Sequence, residues 1–283
     1  MSDAPPRFDP AEWERLQPRG LADDAPPAGV PPGRIPNRTY GLRRGFELAL
    51  QACLELRPTS SRWLDVGCGR GQLAESLRNR GHFAVGLDAD EAMLRPGPLD
   101  RGDSLVRTGT ERSMSRLDHV CALAEPTPFA PRSFDGIVAV SLLGCLIDPG
   151  ELFREAARLL RPSGVLVFTH TNASSRLLAM SRALNGRRPG RPRTGAIHLH
   201  AGDAIETALA SSGFRIVDRW PYNFTVDLIR WSIPTETMAR GYERHLQEAR
   251  AHPGDASSPE PWARNLLVIA EAPEVRRSSP ETE

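Results

Sequence analysis

The apolar run Trp63-Leu64-Asp65-Val66 leads into Gly67-Cys68-Gly69-Arg70-Gly71 and then into a helix-forming stretch, Gln72 to Asn79. Glycines packed this densely at the end of a strand let backbone N–H groups approach a ligand and let the next helix lie close to the sheet. That helix begins with its N-terminus facing the ligand. A second apolar run, Phe83 to Leu87, follows and closes on Asp88. Strand, glycine turn, helix and strand in this order belong to a parallel α/β sheet.

The glycine pattern has little specificity, because dinucleotide enzymes use a closely similar turn. The two carboxylates narrow the ligand. Asp65 stands at the carboxyl end of the first strand, where it would repel a diphosphate and attract an ammonium group. Asp88 ends the second strand at the distance along the chain where an acid accepts hydrogen bonds from ribose hydroxyls. Together they point to a nucleoside cofactor with a cationic amino-acid part and no phosphate chain. Each Asp also has a plainer reading as a turn or helix cap.

Strand and helix patterns continue to alternate. The first helix spans Tyr40 to Leu56, with Leu42, Phe46, Leu48, Leu50, Ala52, Cys53 and Leu56 at helical spacing. A short helix is expected near Glu91 to Leu94, and strands near His119 to Leu123, over Gly136 to Val140 and over Val165 to Thr169. Helices are expected over Gly150 to Leu160 and Asp203 to Ser212, with strands over Phe214 to Asp218 and Asn265 to Ala270. This reads as a doubly wound sheet. Its ligands sit beyond the carboxyl ends of the strands, where Gly67, Asp88, Leu123, Ser141 and His170 converge.

With these elements in place the chain resembles the class I S-adenosylmethionine (SAM)-dependent methyltransferases, in the group that methylates small molecules and includes the quinone-biosynthesis type. Pro128-Phe129-Ala130-Pro131-Arg132-Ser133-Phe134-Asp135-Gly136-Ile137-Val138 resembles that family's entry into its fourth strand. Ala156-Ala157-Arg158-Leu159-Leu160-Arg161-Pro162-Ser163-Gly164 resembles the helix and turn before the fifth, and Ser211-Ser212-Gly213-Phe214-Arg215-Ile216-Val217 the turn into the sixth. The motifs stand in family order across most of residues 61 to 220.

The resemblance implies a Rossmann-like α/β fold: a doubly wound seven-stranded sheet, its last strand antiparallel, with a helical cap. It implies SAM as cofactor, held by Asp65, Gly67, Cys68, Gly69, Asp88, Ala89, Leu123, Ala124 and Ser141. One departure concerns adenine. The family usually carries an acid about five positions before the Pro-Phe pair, to hydrogen-bond the adenine amino group, and here that position is Leu123. Either Glu125 takes over the contact, or adenine is held by apolar packing and the backbone of Ala124; the second is preferred.

A methylsulfonium is a strong electrophile, so the protein's task is to align donor and acceptor and exclude water. A hydroxyl or ammonium acceptor also benefits from a base, for which His suits neutral pH. His170, beside Thr169, Thr171 and Asn172, is the catalytic candidate, against a structural hydrogen-bonded histidine. His198 and His200 would share one side of an extended segment, as metal ligands can, but no third ligand is evident and no metal is expected. Arg187, Arg188, Arg191 and Arg193 could grip phosphate or carboxylate, although a solvated loop is the commoner origin of such a run. Trp220, Tyr222, Phe224, Trp231 and Tyr242 would suit a planar acceptor, or simply the packing of a cap.

Composition sets the remaining bounds. With 283 residues and 40% apolar content the chain can bury a substantial core. Its net charge of +1 argues against nucleic acid as a partner, and its 36 basic residues, all Arg, fit a GC-rich coding habit. Cys53, Cys68, Cys121 and Cys145 lack zinc or disulfide spacing, so reduced thiols in the cytoplasm are expected. No run approaches the roughly 20 apolar residues of a membrane span.

The expected organisation is a disordered Pro-rich tail over 1–36, a covering helix in 37–60, and a methyltransferase domain over 61–272. A disordered tail over 273–283 would follow. Segments at about 171–200 and 221–262 would select the acceptor, and Pro96 to Arg116 reads as an irregular loop. The expected activity is methyl transfer to a small organic acceptor, at oxygen before nitrogen or carbon. A non-catalytic protein of the same fold and a nicotinamide oxidoreductase are the alternatives.

Overall fold

The computed structural model of the protein describes residues 37–94, 119–185, 198–224, 244 and 260–273. Seven strands form one sheet: β1 Arg62–Val66, β2 Phe83–Asp88, β3 His119–Cys121, β4 Phe134–Ala139, β5 Leu160–Thr171, β6 Arg215–Tyr222 and β7 Asn265–Glu271. Their spatial order is β3-β2-β1-β4-β5-β7-β6. Neighbours from β3 to β5 are parallel, and β7 runs antiparallel between β5 and β6. This is the Rossmann-like doubly wound sheet that the sequence implied. Strand order reverses at β1 and β4, which opens a crevice at their carboxyl ends.

The helices are α1 Asn37–Leu56, α2 Gln72–Arg78, α3 Glu91–Leu94, α4 Pro149–Leu159, α5 Arg176–Asn185 and α6 Gly202–Ser211. Because side chains alternate along a strand, the sheet buries two separate cores. On one face Leu64, Val66, Leu87, Ile137, Leu166 and Phe168 meet Leu152 and Phe153 of α4 and Ile205 and Leu209 of α6. On the other, Trp63, Val138, Val165, Val167, Leu267 and Ile269 meet Leu48, Ala49, Ala52 and Cys53 of α1 and Leu73 and Leu77 of α2. From Arg44 onward α1, expected as a covering helix, is thus a layer of this second face. At Gly45 a side chain would meet the Tyr222 hydroxyl at 2.6 Å, so the helix lies tight against β6.

Most elements fall where periodicity placed them, and the differences have local causes. β3 stops at Cys121 instead of continuing to Leu123, its ladder ending where the Ala122 N–H reaches the Asp88 carbonyl at 3.1 Å. β5 starts early, because Leu160 already pairs with Phe134 across a bulge. Helix α5 was not expected, since weak amphipathicity hid it among loop residues. The chain from Thr127 to Ser133 is strapped to α4 by Glu155, which accepts from the Thr127 N–H (2.9 Å) and hydroxyl (2.6 Å) and from Arg158 (2.6 Å). The Arg158 guanidinium holds the Glu155 carboxyl down at about 2, helped by Thr127 against the cost of burial.

The proposed N-terminal tail, the Pro96 to Arg116 loop, Arg187 to Arg193, Trp231, Tyr242 and nearly all of the C-terminal tail lie outside the described residues. Among the described residues, no helix is long and apolar enough to cross a membrane.

Candidate active site

The turn after β1 is held by its own backbone and by β2. The N–H groups of Gly67 and Cys68 both donate to the Leu87 carbonyl, at 2.8 and 3.0 Å, and the Gly71 N–H donates to the Cys68 carbonyl at 2.9 Å. Gly67, Gly69 and Gly71 all have positive φ. At Gly71 space forbids a side chain as well, the His119 ring lying 2.0 Å from a Cβ there, and at Gly67 a Cβ would press on the Leu142 side chain at 2.8 Å. At Gly69 a Cβ would meet nothing within 4 Å, so its backbone borders open space.

Asp88 joins the two halves of this turn. One carboxylate oxygen accepts from the Gly69 N–H at 2.8 Å and the other from the Asp90 N–H at 2.9 Å. Each oxygen keeps a further lone pair for a hydroxyl donor. Asp88 is half-buried, with Ala89 exposed beside it. Leu123 is 63% exposed and Met93 47%, giving an apolar flank next to Asp88 and to the half-buried Ala124. A nucleoside fits this set of groups: a carboxylate for its sugar, open backbone beside Gly69, and bare aliphatic surface for a base.

Asp65 lies beneath the turn instead of on its rim. It is 3% exposed on the α2 face, and its carboxylate accepts from the N–H of Ala74 in the first turn of α2 at 3.3 Å. Burial drives its carboxyl up to about 7; the charge of Asp88 adds to this, while the Ala74 bond and Arg78 oppose it. Its influence on a cation in the crevice would therefore act through the field, without contact. Cys68 is nearly buried, and burial together with Asp65 and Asp88 pushes its thiol far above the usual range, so it contributes no thiolate.

On the other wall Ser141, exposed and at φ 59, follows β4, and its N–H donates to Thr169 Oγ1 at 2.8 Å. Thr169 in turn bonds the buried Tyr222 hydroxyl. His170 is the penultimate residue of β5, on the opposite sheet face. It is 8% exposed, stands 6.1 Å from Phe168 ring to ring, and its Nδ1 lies 3.1 Å from the Thr171 carbonyl. A carbonyl only accepts, so Nδ1 carries the hydrogen and Nε2 is the free base of the neutral ring. Burial holds His170 down at about 4, and Arg219 and His200 add to that. It is neutral at physiological pH.

The structure thus brings Gly67, Cys68, Gly69, Asp88 and Ala89 together at one end of the crevice. Leu123 and Ala124 flank them, and Ser141 and His170 lie across the switch point. Trp220 and Tyr222, candidates for an acceptor pocket, are 1% and 3% exposed and pack in the second core, Trp220 donating to Asp218 at 2.7 Å. Their aromatic character serves the sheet. Glu125 feels Glu151, Arg154, Glu155 and Asp148, which places it toward the start of α4. His200 directs Nε2 at two carbonyls, and no group of three or more His, Cys, Asp or Glu residues suited to a metal occurs among the described residues. Sequence reasoning missed Leu142 and His119, which back the glycine turn; neither belongs to a local pattern that could have revealed it.

A methyltransferase domain model matches residues 38–219. The chain is 30% identical over 118 residues to a ubiquinone biosynthesis O-methyltransferase of Stutzerimonas stutzeri, covering 42% of this chain and 47% of that protein. It is 34% identical over 121 residues to the corresponding protein of Paracidovorax citrulli, covering 42% and 48%. The chain therefore spans about half the length of these curated relatives. The magnesium protoporphyrin IX methyltransferase of Synechocystis PCC 6803, solved with bound S-adenosylhomocysteine (SAH), superposes with a TM-score of 0.54 at 13% identity, over 93% of each chain. The [4+2]-cyclase SpnF superposes at 0.51 with 20% identity, also over 93% of each chain. These two likenesses concern the fold. The family model, the strand order and the glycine turn tied to Asp88 agree, and the chain belongs to the methyltransferase domain family, within the class I SAM-dependent group.

Proposed function

We propose that this protein transfers a methyl group from SAM to a hydroxyl of a small organic acceptor. The observation that carries the reading is the Gly69–Asp88 junction, an open backbone edge fixed to a half-buried carboxylate at the switch point. Bound SAM supplies an activated methyl group on a sulfonium, released as the S–CH3 bond breaks and an O–CH3 bond forms. Asp88 holds the ribose hydroxyls, and Gly67 to Gly69 border the amino-acid part. Leu123 and Ala124 flank adenine without a carboxylate, and Asp65 adds a negative field from beneath.

Oxygen is preferred as the nucleophile because the relatives at 30% identity and above carry the name O-methyltransferase. His170 is the candidate base. Its tautomer leaves Nε2 able to take the hydroxyl proton, and burial keeps the ring in its basic form, though a weak one. The test is transfer of label from methyl-labelled SAM to a panel of phenols, catechols, amines and carboxylic acids. Label in an acid-stable ether supports the reading. Label in amines alone moves the nucleophile to nitrogen, and SAH binding with no transfer to any class overturns methyl transfer.

A further inference from the structure

We propose that His200 is a positioning residue for the donor pocket: by gripping the turn after β4 it keeps Leu142 seated against Gly67. The inference rests on the donor reading above. His200 Nε2 lies 3.1 Å from both the Leu143 and the Leu146 carbonyl, and the His198 N–H donates to the Gly144 carbonyl at 2.8 Å. Carbonyls only accept, so Nε2 carries a hydrogen shared between the two. Residues 198–200 thereby hold three carbonyls of the short stretch Leu143 to Leu146, although more than fifty residues of chain separate them from Leu143.

The turn so held is a single 3-10 unit, Leu143–Cys145, with its own Cys145 N–H to Leu142 carbonyl bond at 2.8 Å. Its entry is fixed from the other sheet face, where Thr169 receives the Ser141 N–H. Between these two anchors stands Leu142, whose side chain would lie 2.8 Å from a Cβ on Gly67. Leu142 is thus the wall against which the first glycine folds. Freed from His200, the Leu143 and Leu146 carbonyls would turn to water, and the wall would lose its fixed position. His200 also sets part of the field at His170, so one ring touches the support of the donor turn and the surroundings of the candidate base.

Calorimetric titration with SAH tests this on the full chain. His200→Ala is expected to weaken binding by about tenfold, and His200→Gln, which can present an N–H near the Nε2 position, to stay within about twofold of the parent. Leu142→Ala should reproduce the His200→Ala loss, and the double variant should lose no more than either alone. Binding by His200→Ala within twofold of the parent, or losses that multiply in the double variant, would overturn the inference. If His200→Ala does not fold, Leu142→Ala decides: unchanged SAH affinity rejects the clasp. If the parent itself takes up no SAH, the donor reading fails. Amide exchange at Cys145 and Leu146 then decides the clasp, which is rejected if protection is the same in His200→Gln and His200→Leu.

Discussion

At the donor end of the crevice, the groups that matter come from one strand–turn–helix–strand unit and are mostly backbone: three left-handed glycines within five residues, the N–H of Gly69, and the Asp88 carboxylate that answers it from the end of the next strand. Across the crevice, the Ser141-Leu142 turn, His170 and His200 come from three separate stretches; Thr169 holds the Ser141 N–H from the next strand, and His200 reaches the Leu143 and Leu146 carbonyls from more than fifty residues away. A cofactor common to a family can be read by a local turn whose geometry the chain sets directly. An acceptor particular to one protein is met by side chains that only assembly brings together. Substitutions in the donor turn should therefore act on binding and stability at once, and substitution of His170, the candidate base, on turnover.

The largest effect is expected at Gly71→Ala, which forces a side chain into left-handed backbone and to within 2.0 Å of the His119 ring. Urea unfolding should show a loss of about 3 kcal/mol or more, with SAH binding abolished. Gly202→Ala, where a Cβ meets nothing within 4 Å, should stay within about 0.5 kcal/mol. Similar stabilities for the two variants would mean that the donor turn is not rigidly specified.

Asp88→Ala removes the acceptor of two backbone N–H groups and the ribose anchor together. Calorimetry should record SAH binding weaker by about 1.5 to 3 kcal/mol. An unchanged affinity would remove the ribose assignment.

Asp65 gives a pH-dependent test. A cation in the crevice favours the ionised carboxylate, so donor affinity should rise as pH increases from 6 through about 7 and then level off. Its folded value lies above its ordinary one, so the ligand-free protein loses stability from this group as pH climbs from the usual carboxylate range to about 7. Asp65→Asn should abolish the slope in affinity. At pH 8 it should also raise ligand-free stability by about 1 kcal/mol, or roughly 2–4 °C in Tm. A slope that persists in the variant would place the titrating group elsewhere.

His170→Ala should leave SAH affinity within about twofold while lowering kcat by roughly 100-fold or more, if Nε2 takes the proton. A variant with normal kcat would leave His170 a packing residue beside Phe168. Because burial holds this ring down at about 4, its own titration should leave the rate flat between pH 6 and 8.

The glycine turn, Asp88 and the strand alternation were legible because each is written in adjacent residues: a turn needs glycine where φ is positive, and a half-buried or buried strand needs a run of apolar side chains. The position of Asp65 was not. Which face of a strand meets α2 depends on how the sheet is sandwiched, and that turned a cleft carboxylate into an interior one tied to Ala74. Trp220 and Tyr222 carried the same ambiguity, since an aromatic side chain suits a pocket and a core equally well until burial decides. His200 read as half of a possible metal pair, and the two carbonyls that occupy its Nε2 lie more than fifty residues away.

The amino-acid order was enough to set the sheet, its doubly wound course and the donor turn, because these follow from short-range backbone preference and hydrophobic period. The depth of Asp65, the clasp on the turn after β4 and the lowered basicity of His170 arose only on folding. Each depends on desolvation or on a hydrogen bond between distant segments, and neither exists until the chain has closed on itself.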